Sequence, residues 1–365
     1  MRPWHDTTLD APGRAAALLA ELTLDEKIAQ LGSFWTRLRE APPEDGQHHD
    51  VAPMEHAMSQ ATWREAHRNG LGHLTRIFGT RPFTVEEGRR ELRDRQADVM
   101  GASRFSIPAL AHEECLTGFT AMGATVYPAA LAWGATWRPE LIGEMAAHIG
   151  ADLHALGIHQ GLSPLLDVAR DYRWGRVEET CGEDPYLVGT MGTAYVQGLQ
   201  GEGVHATLKH FVGYPASRAG RNHAPISMGR RELSDVMLPP FEMAVREGGA
   251  RSVMNSYCDI DGVPAGASRW LLTELLRERW GFTGTVVSDY WSVNFLTSTH
   301  RIAQDEAAAA ALSIRAGLDI ELPDMGSFAA ISEAIERGLL TVEDVDRAAL
   351  RALTQKAELG LLDAE

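Results

Sequence analysis

Short apolar runs recur along the chain, and each is followed by a polar or charged tip, a loop and an amphipathic stretch. Residues 71–78 read as the first barrel strand. Residues 107–111 form a second run that ends in His112-Glu113-Glu114, and 158–162 begin another. Residues 204–208 end in Lys209-His210-Phe211, and 252–254 lead into Asn255-Ser256-Tyr257. The run 284–287 passes through Ser288 into Asp289-Tyr290-Trp291, and 317–321 look like one more strand. Helices are predicted between them. Leu141, Met145, Ile149 and Leu153 follow Pro139 at near-helical spacing, and Leu271, Leu272, Leu275 and Leu276 follow a capping Ser268. Residues 232–247 read as a helix that Pro239-Pro240 interrupts or restarts, and the alanine-rich stretch 306–316 as another. Thr23 with Glu26 and Thr341 with Asp344 fit capping boxes. The first opens a helix bearing Leu24, Ile28 and Leu31; the second opens a last helix stopped by Gly360.

Such units without a hydrophilic linker predict one α/β domain over residues 1–365, a (β/α)8 TIM-like barrel with an irregular first strand region. An open doubly wound sheet is the alternative, but the glycine-rich phosphate and dinucleotide fingerprints are missing. Residues 40–60 turn polar and read as an exposed loop or lid. His48-His49 within it have no third metal ligand in register.

Composition narrows the function. Acidic residues outnumber basic ones 50 to 34, a formal charge of −16, which argues against nucleic acid or an anionic membrane as partner. A neutral substrate is the simpler expectation. No apolar run approaches the roughly 18 residues of a membrane span. Cys115, Cys181 and Cys258 make neither a metal spacing nor a disulfide framework, and no secretion signal opens the sequence. A cytoplasmic location is expected, with no cofactor or metal.

In a barrel the strand tips share one rim. Here they are Glu113-Glu114, Arg170-Asp171, Lys209-His210, Asn255 with Tyr257, and Asp289-Tyr290. Each has a structural reading as well: Asp289 as a helix N-cap, Arg170 and Asp171 as an ion pair, Met254 as core. Together, carboxylates, lysine, histidine and arginine are costly to bury unless they pair or meet a polar ligand. A neutral polyol uses such a set well, because each hydroxyl both donates and accepts. The residues alone leave sugar transfer, aldol-type chemistry and hydrolysis open.

Four motifs in order carry a resemblance. They are Leu166-Asp167-Val168-Ala169-Arg170-Asp171-Tyr172-Arg173-Trp174-Gly175-Arg176 with its following Glu178-Glu179-Thr180-Cys181-Gly182-Glu183-Asp184-Pro185, then Lys209-His210-Phe211, Val253-Met254-Asn255-Ser256-Tyr257 and Val287-Ser288-Asp289-Tyr290. Through them the chain resembles the N-terminal barrel domain of family 3 glycoside hydrolases, the β-glucosidase, β-xylosidase and exo-β-glucanase group, from residue 22 to 362. The resemblance implies that Asp289 is the catalytic nucleophile. Lys209 and His210 would hold hydroxyls of the non-reducing-end sugar with Arg170 beside them, and Glu114 would grip the far hydroxyls. Met254 and Tyr257 would line the first sugar subsite. Tyr290 stands where the family often has tryptophan, and Arg221 would contact substrate or a neighbouring domain.

In large family members the acid/base glutamate comes from an αβα sandwich domain after the barrel, a domain expected to be absent from this chain. In the single-domain β-N-acetylhexosaminidase branch an Asp-His pair on the loop after Lys-His serves instead. The loop 212–223 lacks that arrangement, and His223 is a remote substitute. The expectation is an exo-acting retaining β-glycosidase for β-glucosides or β-xylosides, taking a β-linked oligosaccharide or aryl glycoside. It would be completed by a second domain, a subunit or a homodimer mate. A non-catalytic sugar-binding barrel and a single-domain hexosaminidase are the alternatives.

Overall fold

The computed structural model describes residues 2–35 and 61–363. The predicted loop 40–60 and His48-His49 lie outside the described residues. Seven parallel strands form a curled sheet in chain order: β1 (Ser33–Trp35), β2 (His73–Thr75), β3 (Leu110–Glu113), β4 (Gln160–Gly161), β5 (His205–Phe211), β6 (Ser252–Asn255) and, after a two-stranded hairpin of β7 (Asp259–Ile260) and β8 (Val263–Pro264), β9 (Thr285–Val287). The seven sheet strands are buried along their whole length, as expected where helices cover the outside and side chains fill the inside. The predicted strand 317–321 makes only an isolated bridge, Val287 with Ile320. Its backbone nevertheless spans the gap: Asp319 N–H donates to Val286 O on one side, and Glu321 N–H donates to Leu31 O at 2.9 Å on the other. The α/β barrel-like architecture is therefore the one expected.

The first strand is a correction. Residues 71–78 supply β2, and β1 lies earlier, at Ser33–Trp35. Three residues carry too little periodicity to stand out from the sequence. The helices follow the capping signals closely. Thr23 and Thr341 each accept from the amide three residues on, and Glu26 and Asp344 return the bond. Helix Glu306–Ala316 is capped by Asp305 and ends at Gly317, whose φ of 115° only glycine adopts readily. Pro239 opens helix Pro239–Arg246 as the double proline implied.

Close strand approach requires Gly284 at the foot of β9. A Cβ there would stand 2.1 Å from Arg251 O, so any side chain would push β6 and β9 apart below the tip that carries Asp289. The barrel floor is polar but satisfied in part: Lys356 Nζ donates to Gln30 Oε1 (2.6 Å) and Leu71 O (3.0 Å), and Gln355 bridges to Gln160. The opposite end of the strands is where the charged tips converge.

Candidate active site

Asp289 follows β9 directly, and its backbone is anchored by Asn255 at the end of β6, whose Oδ1 accepts from Asp289 N–H at 3.3 Å. Asn255 is held in turn by Ser292 and Ser256. Asp289 Oδ1 accepts from the Tyr290 amide at 2.8 Å. Oδ2 is buried and has no hydrogen-bond partner among the described residues, with His210 Nε2 3.6 Å away. A buried carboxylate oxygen left unpaired is costly unless something else meets it.

Burial pushes Asp289 up to about 6, against the opposing charges of Arg176 first and then Lys209, with help from the Tyr290 amide and the Tyr257 hydroxyl. The carboxylate is thus ionised above about pH 6 and takes a proton below it. Lys209 Nζ is 2.9 Å from Glu114 Oε2, and both belong to neighbouring parts of the rim, on β5 and just after β3. Burial works to raise Glu114, but Lys209 and Arg76 outweigh it and hold the carboxyl below its ordinary range.

His210 Nδ1 lies 2.7 Å from Asp167 Oδ2, which also accepts the His210 amide at 3.2 Å. Burial raises Asp167 to about 8 and takes His210 well below the ordinary histidine range, so the pair favours its uncharged form. The other ring nitrogen, Nε2, faces Asp289 Oδ2. Tyr214 packs edge-on to the imidazole at 5.1 Å.

The structure does not bring every predicted residue here. Arg170 faces Glu232 at 3.9 Å, and the guanidinium next to Asp289 is that of Arg176 at the other end of the same motif. Arg176 is clamped by Glu179 through two bonds of 2.6 and 2.8 Å and lies over the Tyr214 ring. Arg173 engages Asp171 instead. Three arginines within seven residues cannot be told apart by pattern; only the turn 177–179 decides which one points inward. Arg221 is exposed and outside the cluster. Met254 is 1% exposed on β6. Tyr290 turns its hydroxyl to His112 Nε2 (3.3 Å) and packs on Trp35, leaving little of its ring for a ligand.

Glu113, the neighbour of Glu114, points the other way. It accepts from the amides of Phe78 (2.6 Å) and Gly79 (3.2 Å), and burial raises it to about 8. Strand alternation accounts for the split between these two carboxylates. Asp167, Arg176, Arg76 and Tyr214 are the site residues not singled out from sequence. For Asp167 a signal existed: a carboxylate inside the apolar run 165–169 needs a buried partner. Among the described residues no group of three or more histidine, cysteine, aspartate or glutamate side chains is placed to hold a metal.

The family model "Glycosyl hydrolase family 3 N terminal domain" matches residues 23–355. A β-xylosidase of Formosa agariphila is 42% identical over 289 residues, 73% of this chain and 40% of its own length. A periplasmic β-glucosidase of Salmonella typhimurium is 30% identical over 95% of this chain and 42% of its own. The solved structure of a β-glucosidase from Erythrobacter marinus superposes with a TM-score of 0.88 at 36% identity, covering all of this chain and 47% of that one. The chain thus spans less than half the length of these relatives.

Proposed function

The chain belongs to glycosyl hydrolase family 3, and we propose that it forms the sugar-binding, nucleophile-bearing half of a retaining, exo-acting β-glycosidase for β-xylosides or β-glucosides. The observation that carries this reading is the unpaired Asp289 Oδ2, buried beside Arg176, Lys209 and His210. In the proposed reaction that oxygen attacks the anomeric carbon and forms a glycosyl-enzyme, while the leaving-group oxygen takes up a proton. Water then attacks the same carbon, releases Asp289 and gives the sugar with its β-configuration retained. Arg176 and Lys209 favour the ionised nucleophile. The His210 ring and the Glu114–Lys209 pair supply the donor and acceptor that sugar hydroxyls require. Hydroxyl bonds that shorten as the ring flattens assist the step.

The other carboxyl groups described at the site are engaged: Asp167 with His210, Glu114 with Lys209, Glu179 with Arg176. We assign the acid/base to a group outside this set, on a second domain or chain. The chain by itself is then expected to turn over dinitrophenyl β-glycosides, whose leaving group needs no proton, and to leave methyl β-glycosides essentially untouched. Proton NMR of the first product formed from 2,4-dinitrophenyl β-xyloside and β-glucoside tests the reading. A β-anomer that appears before mutarotation is expected, and the faster of the two substrates identifies the sugar. An α-anomer as first product would replace this mechanism with an inverting one.

A further inference from the structure

The loop after β5 carries a second feature, beside Tyr257. His223 holds a left-handed backbone, φ 61°, and its ring lies 4.5 Å from the Tyr257 ring and 4.9 Å from that of Phe295. Tyr257 adjoins Asp289, whose ionised form its hydroxyl helps to favour, so this aromatic cluster lies beside the reacting centre. The loop is pinned on both sides of His223. Asn222 Oδ1 accepts from the Tyr214 hydroxyl (2.8 Å) and Trp174 Nε1 (3.3 Å), and Ile226 N–H donates to Asp259 O (2.9 Å). Among the described residues neither ring nitrogen of His223 has a hydrogen-bond partner. The ring is half-buried, and burial with His300 behind Tyr257 keeps it on the neutral side, with one N–H to donate and one nitrogen to accept.

A half-buried imidazole that the fold fixes in place, but gives nothing to bond, suits a ligand contact. The cluster's character suits the departing group rather than the retained sugar. Glu114 and Lys209 serve the hydroxyl-rich ring, whereas the partly exposed Tyr257, backed by the buried Phe295, gives His223 an aromatic setting with a single polar point. We propose that His223 is the leaving-group contact: a ring nitrogen bonds the aglycone beside Tyr257, with Phe295 packed behind the two rings. This assignment rests on the glycosidase reading above and adds the aglycone side to it.

The test compares two trapping reagents on the full chain, 2,4-dinitrophenyl 2-deoxy-2-fluoro-β-glycoside and the corresponding 2-deoxy-2-fluoro-β-glycosyl fluoride. Both place the same sugar on Asp289, but fluoride is too small to reach the cluster. His223→Asn keeps a side chain that tolerates the left-handed backbone and removes the ring. It is expected to slow labelling by the dinitrophenyl reagent about tenfold, the effect of losing one good hydrogen bond, and to leave labelling by the fluoride within about twofold. The fluoride rate also reports that the variant is folded. Equal slowing with both reagents, or no change with either, would overturn the assignment. Labelling of the wild-type chain by neither reagent would overturn it together with the glycosidase reading.

Discussion

Replacing Asp289 by glycine is expected to lower turnover of dinitrophenyl β-glycosides by at least about four orders of magnitude, because no other group can form the glycosyl-enzyme. The substitution removes a side chain whose polar contacts are few, the next amide and the nearby Tyr257 hydroxyl, and so leaves the fold intact. It also opens a hole the size of a small anion beside Arg176 and Lys209, which together keep the site attractive to negative charge. Azide added to the variant is therefore expected to restore turnover by attacking from the vacated side, giving the α-glycosyl azide. Mass and NMR analysis of the product check this. Rescue without an azide product, or wild-type activity in the variant, would remove Asp289 from the mechanism.

Replacing Arg176 by alanine is expected to have the next largest effect. Arg176 is the leading charge that offsets the burial of Asp289, and it is held charged by Glu179 against its own burial. Without it, Asp289 feels the unscreened desolvation together with the freed Glu179 carboxylate, and both raise its pKa. In the proposed reaction Asp289 acts only when ionised, so activity is lost as pH falls through its pKa. The wild-type acid limb of kcat/KM is expected near pH 6. The alanine variant should shift that limb upward by about one unit or more and lose about two to three orders of magnitude at pH 7. Arg176→Lys should recover part of both effects. Arg170→Ala, at an arginine that faces Glu232, is expected to stay within about threefold of wild type at every pH. Parallel pH–rate profiles of the three variants check the contrast.

These two arginines also mark how far sequence reached. The strand tips were legible because each ends an apolar run in a charge, and that rule located Glu114, Lys209, His210 and Asp289. It could not choose among arginines in an irregular segment, where no period governs direction; the 3-10 turn Val177–Glu179 and the Glu179 clamp make that choice. Helix limits were legible where a side chain caps them, as at Thr23 and Thr341. The first strand was not, because three buried residues leave no pattern. Tyr290 shows a different limit. Its position after Asp289 is plain in the sequence, but its hydroxyl turns inward because His112 on β3 offers a buried partner. The role of His223 depends on contacts with Tyr257 and Phe295, which lie far away in sequence.

The central claim is that Asp289 Oδ2 stands ready to bond an anomeric carbon. The most direct measurement is intact-protein mass spectrometry after incubation with the 2,4-dinitrophenyl 2-deoxy-2-fluoro-β-xyloside and β-glucoside, followed by peptide mapping. A single added fluorosugar on the peptide that contains Asp289, persisting on prolonged incubation in buffer, is the predicted result. An unmodified chain, or a sugar carried by any other residue, would contradict it.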